Sequence, residues 1–151
     1  MDSIKVTFSE GHSLNDRSIK YCTGQVGIYF IYLNEDKIVY PSSESRLIYI
    51  GMSESPENSI GKRLKGHLTG QSGNLGISNY AKFKGASFTS YSLNILRNLG
   101  TKNLFDIESL FLENFLSEFG CYPICNGQSG HQIETDRKLM RELVVDWSFF
   151  D

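Results

Sequence analysis

Residues 26 to 33 read Val-Gly-Ile-Tyr-Phe-Ile-Tyr-Leu, a run made almost wholly of β-branched and aromatic side chains. Such a run with no charge in it fits a strand covered on both faces better than one with a wet side. A second run, Leu47 to Ile50, is closed by Gly51. Asn34-Glu35-Asp36 between them is a turn signal, Lys37 to Tyr40 is placed as a return arm pairing back on the first strand, and 41–45 as a loop. The chain must therefore be built around a small sheet, and helices have to cover it.

The helical patterns supply that cover. Ile60, Leu64 and Leu68 repeat every four residues after start signals at Ser55-Pro56-Glu57. Arg63 and His67 share one face at the rim of that stripe, while Lys62 and Lys65 point away from it. Leu104, Ile107, Phe111, Phe115 and Phe119 mark a longer helix over 103–119, stopped by Gly120. The remaining expectations are a short strand at 4–8, a polar stretch over 9–24, a flexible loop over 70–79, a third main strand over 87–96 and a last helix over 135–145. The fold class is α+β: a central antiparallel sheet of about three strands flanked by helices. The 151 residues suit one domain, with a core at 25–126, an N-terminal extension at 1–24 and a C-terminal helical part at 127–151.

Composition narrows the partners. With 40% hydrophobic and 21% charged residues the balance is that of a soluble protein, and no apolar run approaches a membrane span. Three cysteines (Cys22, Cys121 and Cys125) are too few and too uneven for a disulfide framework, which favours the cytoplasm. Cys121, Cys125 and His131 do not have zinc-ligand spacing, so buried thiols are expected there. The net charge is −2, yet residues 59 to 100 carry six cations and no acid, whereas 101 to 151 carry four cations and nine acids. Arg63 lies in that basic middle, with Lys62, Lys65, Lys82 and Lys84 as candidate contacts to a phosphate backbone.

Gly27-Ile28-Tyr29 and Tyr49-Ile50-Gly51, followed in order by Arg63, His67, Glu113 and Asn126, resemble a GIY-YIG nuclease domain over about two thirds of the chain. The resemblance implies cleavage of a DNA backbone with one divalent ion, Mg²⁺ or Mn²⁺. Glu113 is expected to hold that ion, as a hard cation takes one or two carboxylates and keeps several waters. Arg63 is expected to clamp the phosphate with its always-charged planar fork. Tyr29 and Tyr49 flank the attacking water, Tyr29 being the favoured base. His67 assists proton transfer or binds a phosphate oxygen, Asn126 bonds backbone groups, and Gly27 and Gly51 permit close approach.

Glu108 competes with Glu113. It falls inside the apolar arc of its helix, where an unpaired carboxylate is costly. It is assigned as a supporting residue and becomes the ligand if the helix register differs. Nineteen residues separate Tyr29 from Tyr49, more than is usual in the family, which implies an insertion over 36–45 and puts the pairing of the second strand in question. Lys37 is the only lysine between the tyrosines. A protein partner or a homodimer would supply target selection or the second cut. The competing reading is a non-catalytic nucleic-acid-binding or assembly module on the same fold.

Overall fold

The computed structural model describes residues 3–96, 103–127, 133–137 and 141–151, and the architecture is mixed α+β. Arg97 and His131 lie outside the described residues. Four strands form the main sheet: β2 (His12–Ser13), β3 (Gly27–Leu33), β6 (Leu47–Ser53) and β7 (Ala86–Ser92), in the order β2-β7-β3-β6 with every pairing antiparallel. β3 is central and buried at every position. The three main strands match the expectation, and the two-residue β2 adds a fourth from the segment taken as an extension.

The long insertion leaves the pairing of β6 on β3 intact. Tyr29 stands opposite Gly51 and Ile31 opposite Tyr49, with a register shift between Ile31 and Tyr32. The insertion folds on itself instead of returning to β3: β4 (Ile38–Val39) pairs with β5 (Glu44–Ser45). Tyr40 anchors this hairpin, its ring edge-on to Phe115 and its hydroxyl donating to the Leu47 carbonyl at 2.6 Å. Arg46 closes it, donating to the carbonyls of Leu33, Asn34, Phe149 and Asp151.

Two apolar layers follow from the strand alternation, since neighbouring residues point to opposite faces. On one face Ile28, Phe30, Ile50 and Met52 meet α5 (Leu104–Phe119) through Ile107, Phe111, Leu112 and Phe115. On the other, Tyr29, Ile31, Ile48 and Phe88 meet α2 (Ile60–Thr69) and α3 (Leu75–Lys84) through Ile60, Leu64 and Ile77, with Ile19 of α1 (Asp16–Ile19). Asn103 caps α5 by accepting from the Phe105 and Asp106 amides, and Gly120 ends it in the left-handed conformation, φ 90°. Ser59, rather than the upstream Ser-Pro-Glu, caps α2.

Three expectations are corrected. The loop over 70–79 stops at Asn74, whose side chain accepts the Ile77 amide and starts α3. The strand expected to reach 96 ends at Ser92, and Leu93–Leu96 is a helical turn, α4. The last helix is absent over its final four residues: Glu142–Val145 form strand β8, parallel to β1 (Ser3–Val6). Non-local pairing overrides local pattern there, and Leu143, Trp147 and Phe150 are buried against α5 and the sheet. Among the described residues no helix is long and apolar enough to cross a membrane.

Candidate active site

Tyr29 sits in the middle of β3 on the face covered by α2, and nothing of it reaches the surface. Its hydroxyl meets Nε2 of His67 at 2.8 Å. Tyr49 lies diagonally across on β6, half-buried, with its ring centroid 6.0 Å from that of Tyr29 and 5.0 Å from that of His67. Gly51 makes this possible. A Cβ there would stand 2.4 Å from Cζ of Tyr29, so only glycine lets the phenol lie across the neighbouring strand. Gly27 is constrained in the same way, since a Cβ would stand 1.9 Å from the Tyr91 carbonyl oxygen.

Helix α2 delivers two of its residues to this face. His67 is 5% exposed and is held by Tyr29 on one nitrogen and by the Ser72 hydroxyl, 2.9 Å away, on the other. One helical turn before it is Arg63, half-buried, with a Nε that is fully buried and has no hydrogen-bond partner among the described residues. A cleft of about 390 Å³ runs beside them, bordered by Asn58, Lys62, Lys65, Gly66, Gln71 and Ser72.

Glu108 is the carboxylate whose charge is felt by this group. Helix α5 packs along β6, the edge strand, and Glu108 is half-buried on it. Its charge acts on both phenols and on Arg63. Burial pushes the Glu108 carboxyl up to about 7, and Arg63 partly offsets that rise. Burial likewise raises both tyrosines, Tyr29 most, and the polar contact between them raises Tyr29 and lowers Tyr49, as donor and acceptor would. His67 is pushed down to about 4, first by burial and then by Arg63, so it is neutral at pH 7.

Glu113 is placed elsewhere. It lies on the exposed side of α5, with both oxygens on one Arg137 nitrogen at 2.9 and 3.1 Å. The wheel position opposite the apolar arc is that of a solvated ion pair with Arg137. The penalty for a carboxylate in the apolar arc was itself the signal for Glu108. Asn126 bonds backbone groups as expected: it accepts the Ile50 amide at 3.0 Å and donates to the Ile50 carbonyl at 2.9 Å, extending the sheet edge by one side chain.

The lysines divide. Lys62 and Lys65 border the cleft, Lys65 also pairing with Asp16. On α3, Lys84 pairs with Asp36 at 3.3 Å and Lys82 lies over the Phe83 ring. Lys37 is exposed on the insertion. Cys22 and Cys125 are buried free thiols and Cys121 is half-buried. Among the described residues no three His, Cys, Asp or Glu side chains converge as a metal cage. Ser72 is the site residue that sequence reasoning missed, because a loop serine after a helix gives no signal until the turn is built.

The two titrating groups have opposite consequences for stability. Folded His67 holds its proton less tightly than the unfolded chain, so its contribution is lost as pH falls from about 6.5 to about 4. Folded Glu108 holds its proton more tightly, so its contribution is lost as pH rises from about 4.5 to about 7. The slopes cancel over most of one window. Glu108→Gln should expose the His67 slope, a rise of up to about 3 kcal/mol between pH 4 and 6.5. Urea unfolding across that range without divalent ions checks it; a variant as flat as wild type contradicts it.

No protein-family model matches the chain, and neither a curated protein nor a solved structure matches it.

Proposed function

We propose that this chain is a metal-dependent endonuclease that hydrolyses phosphodiester bonds in DNA, with the site organised as in GIY-YIG nucleases. The observation that carries the reading is an unpartnered buried Arg63 Nε and a neutral His67 on a cleft with lysines at its border, with Tyr29 held by His67, Tyr49 beside both rings, and the charge of half-buried Glu108 acting on both phenols. A buried guanidinium atom without a partner is costly unless a ligand completes it. A phosphate oxygen is the acceptor that suits its geometry.

The donor set fits a single Mg²⁺ or Mn²⁺. Such ions take one or two carboxylates together with water and substrate phosphate, and Glu108 is the carboxylate at hand. Asn126 is not a ligand, as both ends of its amide are used on Ile50. When bound at Glu108 the ion would supply Lewis-acid stabilisation of charge on the phosphate. Arg63 holds the scissile phosphate and stabilises the charge that develops on it. Tyr49, the phenol with partial exposure, orients the attacking water. Tyr29, the phenol the resemblance favours as base, is sealed from solvent and in this reading supports Tyr49 while itself held by His67. The site contains one reacting centre, so one copy cuts one strand.

Supercoiled plasmid incubated with the protein and Mg²⁺ should give nicked circles, and chelation by EDTA should stop the reaction. Plasmid left intact over a range of divalent ions and salt concentrations would remove the enzyme reading in favour of a binding module.

A further inference from the structure

The ring of His67 is held at both nitrogens, which raises the question of where its single proton sits. The loop after α2 decides it. Gly70 turns the chain in the left-handed conformation, φ 85°, and the Ser72 amide returns to the Gly66 carbonyl at 3.0 Å. This folds Ser72 back over the helix end and sets its Oγ 2.9 Å from Nδ1 of His67. The same oxygen accepts the Asn74 amide at 3.2 Å, leaving its proton to donate. Among the described residues the acceptor within reach of that proton is Nδ1.

We propose that Ser72 is a positioning residue: it donates to Nδ1 and thereby fixes His67 as the Nε2–H tautomer, which donates to the Tyr29 oxygen. The Tyr29 hydroxyl, already accepting from His67, directs its own proton towards Tyr49. A chain of donors then runs from Ser72 at the surface, through His67 and Tyr29, to the half-exposed Tyr49. In this arrangement His67 does not take the Tyr29 proton. It holds the phenol and sets its direction relative to Tyr49, whose ring centroid is 6.0 Å away. The groups facing the ring are Arg63 on its own helix, Tyr29 and Tyr49 on the sheet, and Ser72 on the loop. The low proton affinity of His67 keeps it in the neutral form for which a tautomer is defined.

The catalytic consequence rests on the nuclease reading, whereas the tautomer does not, and the test separates them. In ¹⁵N-labelled protein at pH 7, the His67 signals, assigned with His67→Gln, should show a protonated Nε2 and a bare Nδ1. Ser72→Ala should relax this to a mixture of tautomers and Ser72→Thr should restore it. In the nicking assay Ser72→Ala should lower kcat about tenfold at unchanged KM, and Ser72→Thr should recover it. A protonated Nδ1 in wild type, or a Ser72→Ala spectrum identical to wild type, overturns the proposal. A wild type that nicks no DNA but shows the expected tautomer removes the nuclease reading and leaves the role of Ser72 on the ring standing.

Discussion

Arg63→Ala should lose about a thousandfold in plasmid nicking while keeping the fold. The activity loss follows from removing the fixed cation that faces developing charge in a partly desolvated site, where single donors typically contribute a hundred- to a thousandfold. Retention of the fold follows from the unpartnered Nε, since that buried atom gives up no hydrogen bond among the described residues. Two side effects identify the cause. Arg63 depresses both His67 and Glu108, so each should move upward in the variant. Arg63→Lys keeps the charge but loses the planar fork, and should remain well below wild type. Nicking rates with circular dichroism and a histidine titration check this; a variant that cuts at the wild-type rate contradicts the phosphate role.

Gly51→Ala should be as damaging to the fold as Arg63→Ala is to the chemistry. The added Cβ would lie 2.4 Å from Cζ and 2.5 Å from Oη of Tyr29, and 2.7 Å from Cε2 of Tyr49. Tyr29 is wholly buried, so its ring has nowhere to move without giving up the 2.8 Å contact with His67. Overpacking of this kind costs roughly 1–3 kcal/mol, and loss of the buried hydrogen bond brings the expected total to about 3 kcal/mol or more. The midpoint of urea unfolding measures it. A Gly51→Ala protein as stable as wild type contradicts the described packing of Tyr29 across β6.

The elements legible in the sequence were those with a strong period. β3 and β6 announced themselves by composition, α2 and α5 by apolar spacing, and Gly120 by its place after a helix. Helix α3 was hidden because its glycine-containing first turn looks like a loop and leaves Leu75 and Phe83 exposed; the informative residue was the capping Asn74. Strand β8 was hidden because its partner is the first strand of the chain, nearly 140 residues earlier, and no local pattern reports such a pairing. Its Leu-Val-Val was nonetheless better strand than helix. Of the site, Tyr29, Tyr49, Arg63 and His67 are brought together where spacing placed them. For the carboxylate, a helical wheel separates Glu108 from Glu113 as buried from exposed and does not locate the edge of a sheet. Glu108 is half-buried on the helix that packs along β6 and its charge reaches the phenols, and Glu113 stands on the solvent side with Arg137.

That difference is the sharpest point at which to test the whole account. Wild type, Glu108→Gln and Glu113→Gln should be compared for nicking of supercoiled plasmid at saturating Mg²⁺. Glu108→Gln is isosteric and removes the carboxylate whose charge acts on both tyrosines, so nicking should fall to background; Glu113→Gln should cut within about twofold of wild type, as a solvated ion pair contributes little. Nicking that survives Glu108→Gln and disappears with Glu113→Gln would contradict the site as built from Tyr29, Tyr49, Arg63, His67 and Glu108.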